Sequence, residues 1–268
     1  MTTKPASAPN PGPDSRAAKP DYGVDAPGVV RNLYLACAAG LTAFTTAYFD
    51  LWSGVALHIN IAGTGLGMGL GCGAMATWML YDSKIGKIKE RERLLDLVEL
   101  KGSETVLDVG CGRGLLLIGA AKRLTSGRAT GLDLWSTEDL SGNSAEATLE
   151  NARREAVADR VEVKTGDMRK MPFPDASFDA IVSNVAIHNI YDRPGRTEAM
   201  REIARVLKPG GRLVIHDIRH VGEYAADLST LGLTDVKRIG SVAQRIFLSL
   251  VTFGSLRPDV LTARRVGR

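Results

Sequence analysis

The residues best suited to chemistry begin at VLDVGCGRG, Val106 to Gly114. A run of buried-strand character ends in Gly110, Gly112 and Gly114, and a helical pattern opens directly behind them. Glycine permits the tight turn and lets a ligand lie against the backbone with no Cβ in the way. Alone, such a turn suits NAD, FAD or S-adenosylmethionine, or is only a turn, and glycine at every second position departs from the G-x-G-x-x-G dinucleotide pattern. Asp133 closes the next strand-like run, about twenty residues further on, where a carboxylate can accept both hydroxyls of a ribose. Leu134 and Trp135 follow as candidates for an apolar wall beside a purine.

Further along, Gly166-Asp167-Met168 follows a third strand, MPFPDASFDAIVSN runs through a fourth, and LKPGGRLVI, Leu207 to Ile215, enters a fifth. His188, in AIHNI just beyond the fourth strand, is the best candidate for a proton acceptor, because histidine titrates near working pH. A contact role is the competing reading. His216, Asp217, Arg219 and His220 form a second polar group after the fifth strand, either at the same rim or as a solvated strand end. The three cysteines, Cys37, Cys72 and Cys111, have no metal-ligand spacing, so neither a metal nor a disulfide framework is expected.

Alternating strand-like and helix-like runs from residue 101 to 268 read as an α/β fold with parallel strands. Strands are expected at Thr105–Val109, Ala129–Leu134, Val161–Lys164, Phe178–Ser183, Arg212–Asp217, Asp235–Ile239 and Val260–Arg264. Helices are expected at Leu115–Leu124, Ser144–Val157 with Asn143 as its N-cap, Arg196–Leu207 and Tyr224–Leu231.

These motifs, in this order and spacing, resemble the class I S-adenosylmethionine-dependent methyltransferases, especially those acting on small molecules, quinones and lipids. The resemblance runs from about Leu94 to the C-terminus. It implies a Rossmann-like sheet of seven strands, the last antiparallel, with S-adenosyl-L-methionine as cofactor. By position it implies that Asp108 organises the methionine amino group and that Gly110, Gly112 and Gly114 make room for the cofactor. Asp133 would hold the ribose, and Asp167 would accept from the adenine amine with the Met168 backbone beside it. Backbone atoms of Ser183 and Asn184 would close the methionine end. The polar stretch Trp135 to Ser144 is longer than in many members, as an entrance-shaping loop or a neutral insertion. A nicotinamide-dependent oxidoreductase leaves Asp167 and the LKPGG turn unexplained; a membrane-anchored, non-catalytic cofactor-binding protein is the other alternative.

The first hundred residues divide three ways. Residues 1–28, rich in Pro, Ala, Ser and Asp, read as a disordered tail without the apolar run of a signal peptide. Residues 29–81 read as a helical hairpin. Asn32 to Phe49 carries no charge and as a helix spans about 27 Å, close to the roughly 30 Å of a bilayer core. Asp50, Trp52, Ser53 and Gly54 would form the turn. Lys and Arg bracket the hairpin and are absent from that turn, so the expectation is a transmembrane pair with both ends, and the catalytic domain, on the cytoplasmic side. In the second helix Gly65, Gly69 and Gly73, and likewise Gly63, Gly67 and Gly71, recur at every fourth position. Such stripes admit a close neighbour, either the first helix or a second copy of the chain. Residues 82–100 read as a linker helix. A net charge of +4 without interleaved basic and aromatic residues gives no support for a nucleic-acid partner. The expected partner is a small or lipid-like acceptor reached at the membrane.

Overall fold

The computed structural model describes residues 19–49, 58–252 and 254–267. Its centre is a seven-stranded sheet: β1 (Thr105–Val109), β2 (Arg128–Asp133), β3 (Val161–Thr165), β4 (Phe178–Asn184), β5 (Leu207–Asp217), β6 (Leu233–Arg238) and β7 (Asp259–Arg265). The spatial order is β3-β2-β1-β4-β5-β7-β6. The first five strands are mutually parallel, and β7 runs antiparallel to both β5 and β6.

Alternation along the central strands divides the core. Leu107, Val109, Ile181 and Ile215 face a cluster shared with α6 (Arg193–Val206) and α7 (Val221–Thr230). Val106, Val182 and Val214 face a second cluster shared with α3 (Lys87–Val98), α4 (Leu115–Arg123) and α5 (Ala145–Arg154). Helices on both faces leave the strand ends as the open edge, and the order reverses between β1 and β4, where such sheets bind ligands. The expected linker helix is thus part of the core, because Leu94, Leu95 and Val98 are fully buried.

Several expectations change. The hairpin exists as α1 (Pro27–Tyr48) and α2 (His58–Tyr81), but among the described residues no helix is long and apolar enough to cross a membrane. The length is adequate; apolarity fails, because α1 carries Arg31, Asn32 and three threonines while α2 has six glycines from Gly63 to Gly73, which add almost no transfer energy. The residues of its expected turn lie outside the described ones. One glycine stripe is filled from within the chain: a Cβ on Gly65 would lie 2.7 Å from the Gly40 carbonyl oxygen, and one on Gly73 would lie 2.9 Å from Cys37 Sγ. Gly63, Gly67 and Gly71 meet nothing within 4 Å.

The described part of the expected tail is ordered. Residues 19–26 form a strap over the domain, with Tyr22 buried. Asn151 exchanges hydrogen bonds with the backbone N–H and carbonyl of Asp21 (2.9 and 2.8 Å). Lys87 donates to the carbonyls of Tyr22 and Gly23 (2.9 and 3.0 Å). At α5 the cap is Ser144, which accepts from the Ala147 N–H, because Asn143 is drawn instead to Asp133. A helix not foreseen, α8 (Val242–Val251), precedes β7.

Candidate functional site

A cavity of about 1360 Å³ opens where β1, β2, β4 and β5 end. Its floor is the glycine turn, which leaves β1 with positive φ at Gly110, Gly112 and Gly114 (73°, 52° and 87°). Gly110 N–H donates to the Leu132 carbonyl (2.8 Å), and a Cβ at this position would lie 2.2 Å from the Ala186 Cβ. Only glycine fits there.

Asp108, 2% exposed, accepts from the Leu117 N–H at the start of α4 (2.8 Å). Burial, reinforced by nearby Asp133, pushes its carboxyl up to about 8. One amide hydrogen bond is too little for a buried carboxylate, so this side chain is suited to a cation arriving from the cavity. Asp133 is held in place by three donors. Gly112 N–H bonds Oδ2 (2.8 Å), and Trp135 N–H and Asn143 Nδ2 bond Oδ1 (2.6 and 3.2 Å). A carboxylate fixed in this way keeps lone pairs for a ribose diol. Asn143, which the sequence suggested only as a cap, is therefore part of the site.

Asp167, Met168 and Leu134 line the next portion of the cavity. Asp167 is forked by Arg169 (2.6 and 2.9 Å to Oδ2), and that hydrogen-bonded guanidinium holds its carboxyl below the usual range. It is an ionised acceptor on the rim, partnered before any adenine arrives. Trp135 departs from expectation: with φ of 63° it turns its indole to Thr165 Oγ1 (2.7 Å) and packs on the core, so Leu134 alone forms the apolar wall. Ser183 is also absent from the lining. Its hydroxyl is buried and donates to the Val109 carbonyl (2.8 Å), tying β4 to β1. Asn184 does line the cavity, with Oδ1 2.7 Å from His216 Nδ1, and burial holds His216 below the ordinary histidine value.

His188 lies at the same rim, in a short turn after β4. Its Nδ1 is 2.6 Å from Oδ1 of Asp217, and its N–H donates to Oδ2 (3.0 Å). Asp217 is fully buried and also accepts from the Ile218 N–H (2.7 Å) and the Tyr224 hydroxyl (3.3 Å). The second polar group therefore splits. His216 and Asp217 belong to the site, whereas Arg219 and His220 face a separate groove with Glu223 and Arg238.

The strap and the hairpin, which motif reading did not connect with the site, complete the cavity. Tyr22, Asp25 and Ala26 cover it beside the glycine turn, and Val29, Met75, Trp78 and Met79 roof it further out. Lys87 was the available signal, a lysine on the inward side of an amphipathic helix. Among the described residues no group of three His, Cys, Asp or Glu side chains is placed to hold a metal.

Residues 107–215 match the family model described as a methyltransferase domain. Over that segment the chain is similar to methyltransferase domains. That family uses S-adenosyl-L-methionine, and the buried Asp108, the fixed Asp133 and the glycine floor suit its ammonium, ribose and methionine chain. Similar curated proteins include methyltransferase GfsG of Streptomyces halstedii, 37% identical over 47% of this chain and 42% of that protein. The 27-O-demethylrifamycin SV methyltransferase of Amycolatopsis mediterranei is 31% identical over 58% and 52%. A demethylmenaquinone methyltransferase of Lactiplantibacillus plantarum is 34% identical over 46% and 49%. The chain thus spans about half the length of the curated relatives it matches. Among solved structures, geranyl diphosphate C-methyltransferase from Streptomyces coelicolor superposes with a TM-score of 0.52 at 20% identity, over 66% of this chain and 79% of that one. At that identity the likeness is one of fold alone.

Proposed function

We propose that this chain transfers the methyl group of S-adenosylmethionine to a hydroxyl of a lipophilic small molecule, with His188 as general base. The observation that carries the reading is the 2.6 Å contact between His188 Nδ1 and the buried Asp217 at the edge of the cofactor cavity. That contact sets the carboxylate against the ring at ion-pair distance without an aligned hydrogen bond, and on this reading Nε2 is the basic nitrogen. When bound, S-adenosylmethionine supplies a methyl group already activated by its sulfonium, so the chain contributes mainly position and orientation. Nε2 of His188 takes the acceptor's O–H proton as the oxygen lone pair forms the new C–O bond. His188 would return its proton to solvent once the donor, keeping the electrons of its C–S bond, has departed as a neutral thioether. Asp217, 2.6 Å from Nδ1, would orient the ring and stabilise the charge it gains. The names of the relatives, with demethylrifamycin SV and demethylmenaquinone as substrates, support a small organic acceptor.

Lipophilic acceptors collect at bilayers, and the hairpin exposes Leu35, Tyr48, Phe49, Leu70 and Trp78. The same reading therefore has the chain meet a membrane surface through these exposed side chains. Co-sedimentation with phosphatidylcholine vesicles tests this: recovery entirely in the supernatant would refute it.

For the chemistry, purified protein, methyl-labelled cofactor and metabolite extracts should yield a labelled O-methyl product by mass spectrometry. His188→Ala should lower turnover about 10²–10⁴-fold with unchanged affinity for S-adenosylhomocysteine. Full turnover in that variant would remove His188 from the mechanism.

A further inference from the structure

We infer that the acceptor's apolar body lies in an outer chamber between α2 and α8, and that Trp78, Met79 and Leu248 set how large an acceptor is taken. The inference rests on the methyltransferase reading and assigns the acceptor a place and a class: a phenol or other hydroxyl compound with a bulky aliphatic or isoprenoid-like substituent.

Size is the first argument. Pockets for one drug-sized ligand run from about 300 to 1000 Å³, and this cavity, at about 1360 Å³, exceeds them. The surplus is continuous with the cofactor site, so what fills it touches what the cofactor touches. The lining is the second argument. The strands and their turns contribute Asp108, Asp133, Asp167 and Asn184 to the lining, whereas the hairpin, α8 and the loop after it contribute Val29, Met75, Trp78, Met79, Leu248 and Leu256, with Asp82, Glu90 and Arg93 as charged neighbours. His188 lines the same cavity. A molecule touching both sets would present a reactive hydroxyl to Nε2 and leave its apolar portion against methionine, tryptophan and leucine. Methionine suits such a surface because its unbranched thioether adapts to irregular shapes.

The walls themselves are the third argument. α2 packs chiefly on α1 and on the turn after it, and α8 makes no extensive contact with any other helix or strand among the described residues. α8 nevertheless presents Leu248 to the chamber while Val242, Ile246 and Leu250 face solvent. α8 is tied to β7 through Arg245 on the buried Asp259, and its remaining length can yield to admit a long substituent.

The test titrates the full chain, saturated with S-adenosylhomocysteine, with 4-methylphenol and with 4-pentylphenol by calorimetry. Four buried methylenes should tighten binding at least thirtyfold, at one molecule per chain. Trp78→Glu, which charges the wall, should remove most of that preference while S-adenosylhomocysteine binds as before. Leu250→Glu, on the solvent side of α8, should preserve it. Equal affinity for the two phenols overturns the chamber, and so does equal loss in both variants. Failure of S-adenosylhomocysteine to bind the unmodified chain is a separate outcome: it overturns the methyltransferase reading and this inference with it.

Discussion

Asp108→Asn should uncouple cofactor binding from pH. With its carboxyl pushed up to about 8 by burial, Asp108 in the cofactor-free protein is about nine-tenths protonated at pH 7. The methionine ammonium needs it ionised, so binding must expel that proton. The ionised fraction rises from about 1% at pH 6 to about a quarter at pH 7.5, and affinity for S-adenosylhomocysteine should therefore rise roughly twentyfold over that window. Calorimetry in two buffers of different ionisation enthalpy should register close to one proton released per cofactor at pH 6.5. In Asp108→Asn the amide oxygen still accepts from Leu117, but the slope should vanish and binding should be weaker throughout. Stability carries the opposite sign. The native state holds this proton more tightly than the unfolded chain between pH ~4 and ~8, so the stability it confers is complete below that window and declines as pH rises through it. At pH 7 the burden amounts to at most about 4 kcal/mol, at 1.36 kcal/mol per pH unit, so the cofactor-free variant should melt higher than the unmodified protein. Affinity that stays level from pH 6 to 7.5, or proton uptake on binding, would refute the assignment of Asp108 to the ammonium.

Gly110→Ala combines a positive φ with a Cβ 2.2 Å from that of Ala186; it should cost about 1–3 kcal/mol, read by denaturant titration, and abolish S-adenosylhomocysteine binding. Trp135→Phe should bind S-adenosylhomocysteine within twofold of the unmodified chain, because the indole faces Thr165 and not the cavity; a tenfold loss by calorimetry would return Trp135 to the adenine wall. Lys87→Met should loosen the strap by removing the donor to two carbonyls and to Asp25. Limited proteolysis should then cut within residues 19–26 at least tenfold faster, and an unchanged rate would mean that Arg113 and Asn151 suffice to hold it.

The parallel half of the sheet was legible because its strands are short apolar runs punctuated by Gly and Asp, and their turns carry the cofactor residues. What remained hidden depends on partners remote in sequence. The strap has no apolar period of its own; it is ordered because Lys87, Asn151 and Arg113 reach it across the fold. Asn143 and Ser144 are equally good caps, and only the position of Asp133 decides between them. The resemblance assigned Ser183 through its backbone atoms; its buried hydroxyl has a separate use, tying β4 to β1. The hairpin was recognised as a hairpin, but its uncharged length was mistaken for apolarity. α8 escaped notice although VAQRIFLSLV carries an amphipathic helical pattern, because it is short and lies between glycine- and proline-containing loops.

Between α2 and α3 the chain makes a five-residue π turn, Asp82–Gly86, in which the Asp82 carboxylate lies across Gly86. A π turn accommodates one residue more than the α-helix would, and each helical residue turns the axis by about 100°. Deleting a single residue there would swing everything upstream through more than a quarter of a revolution. The faces of Trp78 and Met79 would be re-aimed, while the cofactor residues from Asp108 to Asn184, all downstream, kept their places. The joint thus sets the angle at which the hairpin meets the catalytic half of the fold.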